Sequence, residues 1–214
     1  MKCLSTLKTG DILLFSSGDH GLLSYLSSLI KWGTHSDYTH IAIVLKDPTF
    51  LDTPLKGLYV WQSGWEGKPD PQDKKIKLGV QITPLQEIID DYKTNGSVFI
   101  RKIEFEGESP FTDKNLKEIH TEVYKKPYDI IIKDWIEAFF QKDSHPQTTS
   151  RFWCRAPVGY IYTKVGILDE NTDWTIQRPC DFSLSAENLN YKNNMRLENK
   201  ETKWLYEKLG ILVK

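Results

Sequence analysis

The stretch from Arg151 to Leu168 constrains the chain more than any other. From Cys154 onward, Val158, Ile161, Tyr162 and Val165 recur at the spacing of one helical face, and Gly166 stands where a left-handed C-cap belongs. Pro157 is tolerated only within a first helical turn, where its missing N–H leaves no bond unmade. The spacing therefore predicts a buried helix that starts close to Cys154. Its thiol then sits at the end of the helix that carries unpaired N–H groups and roughly half a positive charge, which favours the thiolate. Such a thiol calls for a base.

A cysteine on an apolar helical face is ordinarily a small core residue, so position alone does not make it a nucleophile. Composition narrows the alternatives. With 214 residues, 39% of them hydrophobic, the chain has enough apolar material for one core, and a single domain over 1–214 is expected. A formal net charge of −1 without a basic block lacks the electrostatic footprint of a nucleic-acid binder. Three widely spaced cysteines, Cys3, Cys154 and Cys180, make neither a disulfide framework nor a Cys-x-x-Cys zinc pair. No metal or cofactor is expected. No apolar run is long enough for a signal peptide or a membrane span, so the expected location is the cytoplasm, with at most peripheral membrane contact.

The base is sought in Tyr38 to Leu45, a β-branched run ended by Asp47-Pro48 that reads as a strand. Alternation puts Tyr38, His40, Ala42 and Val44 on one face and Ile41, Ile43 and Leu45 on the other. Leu58 to Ser63 reads as the next strand. An antiparallel hairpin centred near Leu51 sets His40 opposite Gln62, with side chains about 5 Å apart. A one-residue slip would turn Gln62 to the other face. Glu66, in an expected exposed loop running on through Lys77, is the rival third residue.

The remaining elements follow in order. Ile12 to Phe15 is a first strand after the turn residues Thr9-Gly10-Asp11, and Leu22 to Lys31 has helical spacing. Thr83 reads as an N-cap before Pro84, with Gln86 completing a capping box and Leu85, Ile88, Ile89 and Tyr92 forming the helical face. Val98 to Phe105 reads as a partly exposed edge strand. Thr112 or Asp113 caps a helix with Leu116, Ile119 and Val123 inward, and His120 on its edge is read as structural or exposed. Tyr128 to Phe139 is another helical stripe, and the polar run Gln141 to Ser150 is a loop placed to shape access to Cys154. Ser183 is a candidate cap for a short helix through Leu189, and Lys203 to Leu209 fits helix or strand.

In motif order the chain resembles the circularly permuted branch of the NlpC/P60 papain-like superfamily, which includes YiiX-like proteins, lecithin retinol acyltransferase relatives and members from large DNA viruses. Thr9 to Phe15 looks like its opening Gly-Asp strand, and Tyr38 to Val44 like its histidine strand. Val60 to Ser63 stands where many relatives have a strand ending in a polar residue, often Glu. Gly79 to Gln81 with Pro84-Leu85, and Lys126 to Asp129, resemble the segments that follow. Phe152 to Leu168 is similar to the nucleophile helix, and Pro179-Cys-Asp181 to the Pro-x-Asp after it. Two departures stand out: Arg155-Ala156 follows the cysteine where relatives have Ser or Thr then Glu, and Gln62 replaces Glu.

The resemblance implies an α+β, permuted papain-like fold, an antiparallel sheet packed against helices with the nucleophile at a helix N-terminus. It implies a thiol hydrolase of amide or ester bonds acting through Cys154, His40 and Gln62, on a small peptide-like or lipid acyl substrate. Tyr38, Trp65, Trp153 and Arg155 flank these positions as candidate pocket residues. A lipid-directed acyltransferase or phospholipase, and a binding protein that has lost activity, are the alternatives.

Overall fold

A computed structural model describes residues 4–17, 38–64, 66–94, 96–124, 156–192 and 194–204. In chain order these form β1 (Ile12–Ser17), β2 (His40–Lys46), β3 (Leu58–Gly64), β4 (Gly79–Pro84), α1 (Leu85–Tyr92), β5 (Gly96–Arg101), β6 (Ile103–Glu104), α2 (Asp113–Val123), α3 (Ala156–Lys164), β7 (Arg196–Leu197) and β8 (Thr202–Lys203). Six strands make one sheet in the order β4-β3-β2-β1-β5-β8, every neighbouring pair antiparallel, and β6 and β7 form a separate small ladder. The coarse expectation of an α+β fold on an antiparallel sheet holds. The stripes expected over Leu22 to Lys31 and Tyr128 to Phe139, and the loop Gln141 to Ser150, lie outside the described residues.

The two central strands carry unbroken apolar runs, Ile12 to Phe15 and Ile41 to Leu45, and every one of those side chains is buried. An alternating pattern would have meant one wet face; a continuous one means cover on both. Leu13, Phe15, Ala42, Val44, Val60, Val98 and Ile100 pack with Leu85, Ile88 and Ile89 of α1 on one face. On the other, Ile12, Leu14, Ile41, Ile43, Leu45, Trp61 and Ile82 meet α2 and α3 through Leu116, Ile119, Val123, Val158, Ile161, Tyr162 and Val165. Each fully buried aliphatic side chain contributes about 1.5–3 kcal/mol of hydrophobic stabilisation. The sheet is thus a wall between two cores.

The turn before β1 is held by side chains. Gly10 has φ +101° and the Phe111 ring occupies the space a Cβ would need, 2.1 Å away, so only glycine fits. Its carbonyl accepts the Tyr162 hydroxyl of α3 at 2.6 Å. Asp11, fully buried, accepts from the Lys8 and Ile103 N–H groups at 3.0 and 3.1 Å, yet burial still raises its pKa. The Gly-Asp pair therefore joins three segments.

Several expectations are corrected. Thr83 lies in β4 rather than capping a helix: Pro84 is the N-cap of α1 and no side chain caps it. Val98 to Phe105 is broken at Lys102, because Ile103 leaves the sheet to bond Asp11, and Arg101 is buried rather than at an edge. Its guanidinium donates to Phe182 and Glu198 carbonyls at 2.8 and 2.9 Å and pairs with Glu187 at 2.6 Å, fixing the later chain against β5. Ser183 follows a 3-10 turn, Pro179–Phe182, whose Cys180 carbonyl accepts its hydroxyl; no helix runs on to Leu189. The charged run through Lys77 is anchored by Asp70, buried to 1% exposure. Thr112 does cap α2, accepting from the Asn115 N–H at 3.2 Å, and Gly166 closes α3 at φ +80° with the Ile167 N–H on the Tyr162 carbonyl.

Among the described residues no helix is long and apolar enough to cross a membrane, and no group of three or more His, Cys, Asp or Glu is arranged to hold a metal ion.

Candidate active site

His40 opens β2. Its Nε2–H donates to Gln62 Oε1 at 2.5 Å, the pairing that the sequence suggests, but through a different register. The pairs Ile43↔Trp61 and Val44↔Val60, continued along the strands, set Gln62 opposite Ala42 and Gly64 opposite His40. The hairpin is centred two residues of pairing sum further on than expected, because the loop is closed by Asp47 and Gly57: the Asp47 N–H bonds the Gly57 carbonyl at 2.8 Å and the Gly57 N–H bonds the Asp47 carboxylate at 2.7 Å. Gly57 at φ +107° makes that closure possible. A shift of two preserves parity, so Gln62 keeps to the imidazole's face and reaches it on the diagonal over small Ala42.

The amide is held by two hydrogen bonds and has a carboxylate beside it. Gln62 Nε2 donates to Thr83 Oγ1 at 3.1 Å, and the Glu66 carboxylate lies near enough to the same amide for the amide to lower its pKa. Glu66, the rival third residue, lies beside this amide, and the imidazole's hydrogen bond is to Gln62. Gly64 lies between them: a Cβ there would be 3.6 Å from Glu66 Oε1 and 3.8 Å from His40 Cε1. Gln81, across β4 from Gln62, donates to the Gly64 carbonyl at 2.8 Å and so fixes the end of β3. Thr83 and Gln81 were missed from sequence. Their signal was the polar alternation Gln81, Thr83 within β4, on the face that pairs with Gln62.

Burial pushes His40 down to about 4, with the Gln62 bond opposing, so the imidazole is neutral near pH 7. Because Nε2 carries the hydrogen given to Gln62, Nδ1 bears the free lone pair; among the described residues it has no hydrogen-bond partner. Glu66 is pushed up to about 7, first by burial and then by Asp91 and Glu87 on α1, against Lys68 and the Gln62 amide. Lys68 in turn pairs with Asp91 at 3.1 Å and Glu87 at 3.8 Å, at exposures where such pairs contribute little stability.

Of the other expected site residues, Trp65, Trp153, Cys154 and Arg155 lie outside the described residues. Tyr38 is a correction: its ring packs edge-on against Phe99 with the opposite core, and its hydroxyl donates to Glu201 at 2.6 Å. Alternation fails there because β2 begins only at His40, so Tyr38 is not bound by the pleat. The helix expected to carry Cys154 is present from Ala156 onward, with Val158, Ile161 and Tyr162 buried as the spacing requires. Its body, however, packs on the face opposite the imidazole, which lies with Phe15, ring centroids 5.4 Å apart, on the α1 side. Cys180, the described thiol, is buried beside Asp181 at 3.9 Å, in the 3-10 turn before Ser183.

Compared with protein-family models, with curated proteins and with solved structures, the chain matches none. The reading of the site rests on its own geometry.

Proposed function

We propose that the chain is a thiol hydrolase of amide or ester bonds on a permuted papain-like scaffold, with Cys154 as nucleophile, His40 as base and Gln62 as the group that orients it. The observation that supports this is the Gln62 bond to His40 Nε2–H, which leaves Nδ1 as a neutral proton acceptor at the rim of the sheet. In this reading Nδ1 takes the Cys154 proton as the sulfur attacks an acyl carbonyl carbon. The backbone N–H groups at the helix start hold the oxyanion, and Nδ1–H then protonates the departing amine or alcohol. Water, deprotonated by the same nitrogen, releases the acyl group and restores the thiol. The substrate class is a small peptide-like amide or a lipid acyl ester.

The reading sets a condition on the chain. It requires Cys154 to reach the α1 side of the sheet, whereas the body of α3 packs on the other side. That opposite-face placement of α3 favours a second reading, a binding protein on which the thiol and the imidazole never meet. Iodoacetamide labelling at pH 7 separates them. The hydrolase reading expects Cys154 to alkylate at least tenfold faster than Cys3 and Cys180, and to lose that advantage in His40→Ala. Equal rates for the three thiols, unmoved by His40→Ala, leave the binding protein.

A further inference from the structure

The Gln62 amide has three neighbours, and two of them do not decide which way it points. Imidazole Nε2 accepts or donates according to tautomer, and the Thr83 hydroxyl also does both. An ionised carboxylate only accepts. We propose that Glu66 is a positioning residue: its carboxylate takes a Gln62 N–H, turns the amide oxygen to His40, and so selects the tautomer that leaves Nδ1 as the base. With the amide reversed, the Gln62 carbonyl would face the carboxylate and its NH2 would face His40, demanding the lone pair on Nε2 and the hydrogen on Nδ1. The imidazole would then present a donor where the reaction needs an acceptor.

The same molecule contains an independent instance of this chain of groups. His120 Nε2–H donates to Gln72 Oε1, and Gln72 Nε2 donates to the Asp70 carboxylate at 3.1 Å. There too the acceptor-only group lies behind the amide and the imidazole in front of it. The charged and titratable groups around Glu66 are Glu87 and Asp91 on α1, Lys68 on the loop and His40 on β2. Its raised carboxyl pKa, about 7, means that the lock is engaged above neutrality and loosens below it, as Glu66 gains a proton and becomes donor as well as acceptor.

The catalytic meaning of this role rests on the hydrolase reading; the tautomer itself does not. The test is long-range 1H–15N NMR of the imidazoles in the full-length protein at pH 8, with His40 and His120 assigned from His40→Gln and His120→Gln. Wild type should show His40 almost wholly as the Nε2–H tautomer. Glu66→Leu, which keeps bulk and removes the acceptor, should lower the Nε2–H to Nδ1–H ratio by about tenfold, the difference between a charge-assisted amide lock and a neutral one. Glu66→Gln, whose carbonyl still accepts, should restore part of it, and His120 should be unchanged in both, which reports an intact fold. An unaltered His40 tautomer in Glu66→Leu and Glu66→Gln overturns the proposal whatever Cys154 does. A shifted tautomer beside an unreactive Cys154 upholds it and defeats the hydrolase reading alone.

Discussion

The two histidine–glutamine pairs, His40 with Gln62 and His120 with Gln72, are built alike and lie on opposite sides of the sheet. Each imidazole gives its Nε2–H to an amide oxygen and has a carboxylate beyond that amide, and burial pushes each ring down to about 4. What differs is the surroundings. His120 is enclosed by Phe50, Trp61 and a stacked Tyr124, with ring centroids 5.7, 5.9 and 4.8 Å away. Asp70 behind it is saturated by the Ile82 N–H, the Gln72 amide and Lys77. That pair ties the loop after β3 to α2. Among the described residues His40 meets one ring, that of Phe15, at the start of β2, and Glu66 borders the charges of α1. A carboxylate–amide–imidazole chain is therefore a structural device in its own right, and only an open second nitrogen makes it a candidate for chemistry.

The largest expected contrast is in stability. His120→Ala removes a ring from an aromatic cage and strands the Gln72 carbonyl, so it should cost about 3 kcal/mol, whereas His40→Ala should cost about 1 kcal/mol. Urea unfolding measures both, and equal losses would erase the distinction between the pairs.

Acid sharpens it further. A histidine held at about 4 in the fold and 6.5 when unfolded binds more protons unfolded throughout that window, so its contribution, complete above 6.5, is lost as pH falls towards 4. Glu66 has the opposite sign, stabilising when protonated and losing that contribution as pH rises from 4.5 through about 7. Between pH 7 and 4.5 the His120 share should be about 2 kcal/mol, and that of the partly exposed His40 less. His120→Gln should remove more of the acid-linked loss than His40→Gln; the reverse order would place the better-buried imidazole at residue 40.

Much of this was legible in sequence because it depends on local pattern. The unbroken runs of β1 and β2 announce strands covered on both faces, and Pro157, Val158, Ile161 and Gly166 fix α3 by position alone. Parity put Gln62 on the imidazole's face even though the register was displaced, since the displacement was even. Two closing bonds between Asp47 and Gly57, ten residues apart, set that register, and strand alternation contains no information about them. Thr83 carries every local mark of a helix cap, yet its hydroxyl is engaged by Gln62 in the neighbouring strand, and tertiary pairing outweighs the cap. Tyr38 fails for a related reason: alternation governs only residues inside the ladder. Glu66 was visible as a rival but not as a partner, because only the third dimension lines it up behind the amide.

The account turns on residues 40 and 154 being neighbours, and a disulfide reports that directly, since it forms without strain only when the two Cα atoms lie about 4.4–6.8 Å apart. In a Cys3→Ser/Cys180→Ser background, His40→Cys should cross-link to Cys154 in the folded monomer under mild oxidation, seen as a mass loss of two hydrogens and the absence of free thiol. Two thiols that stay free after prolonged oxidation, with the fold intact, would contradict it.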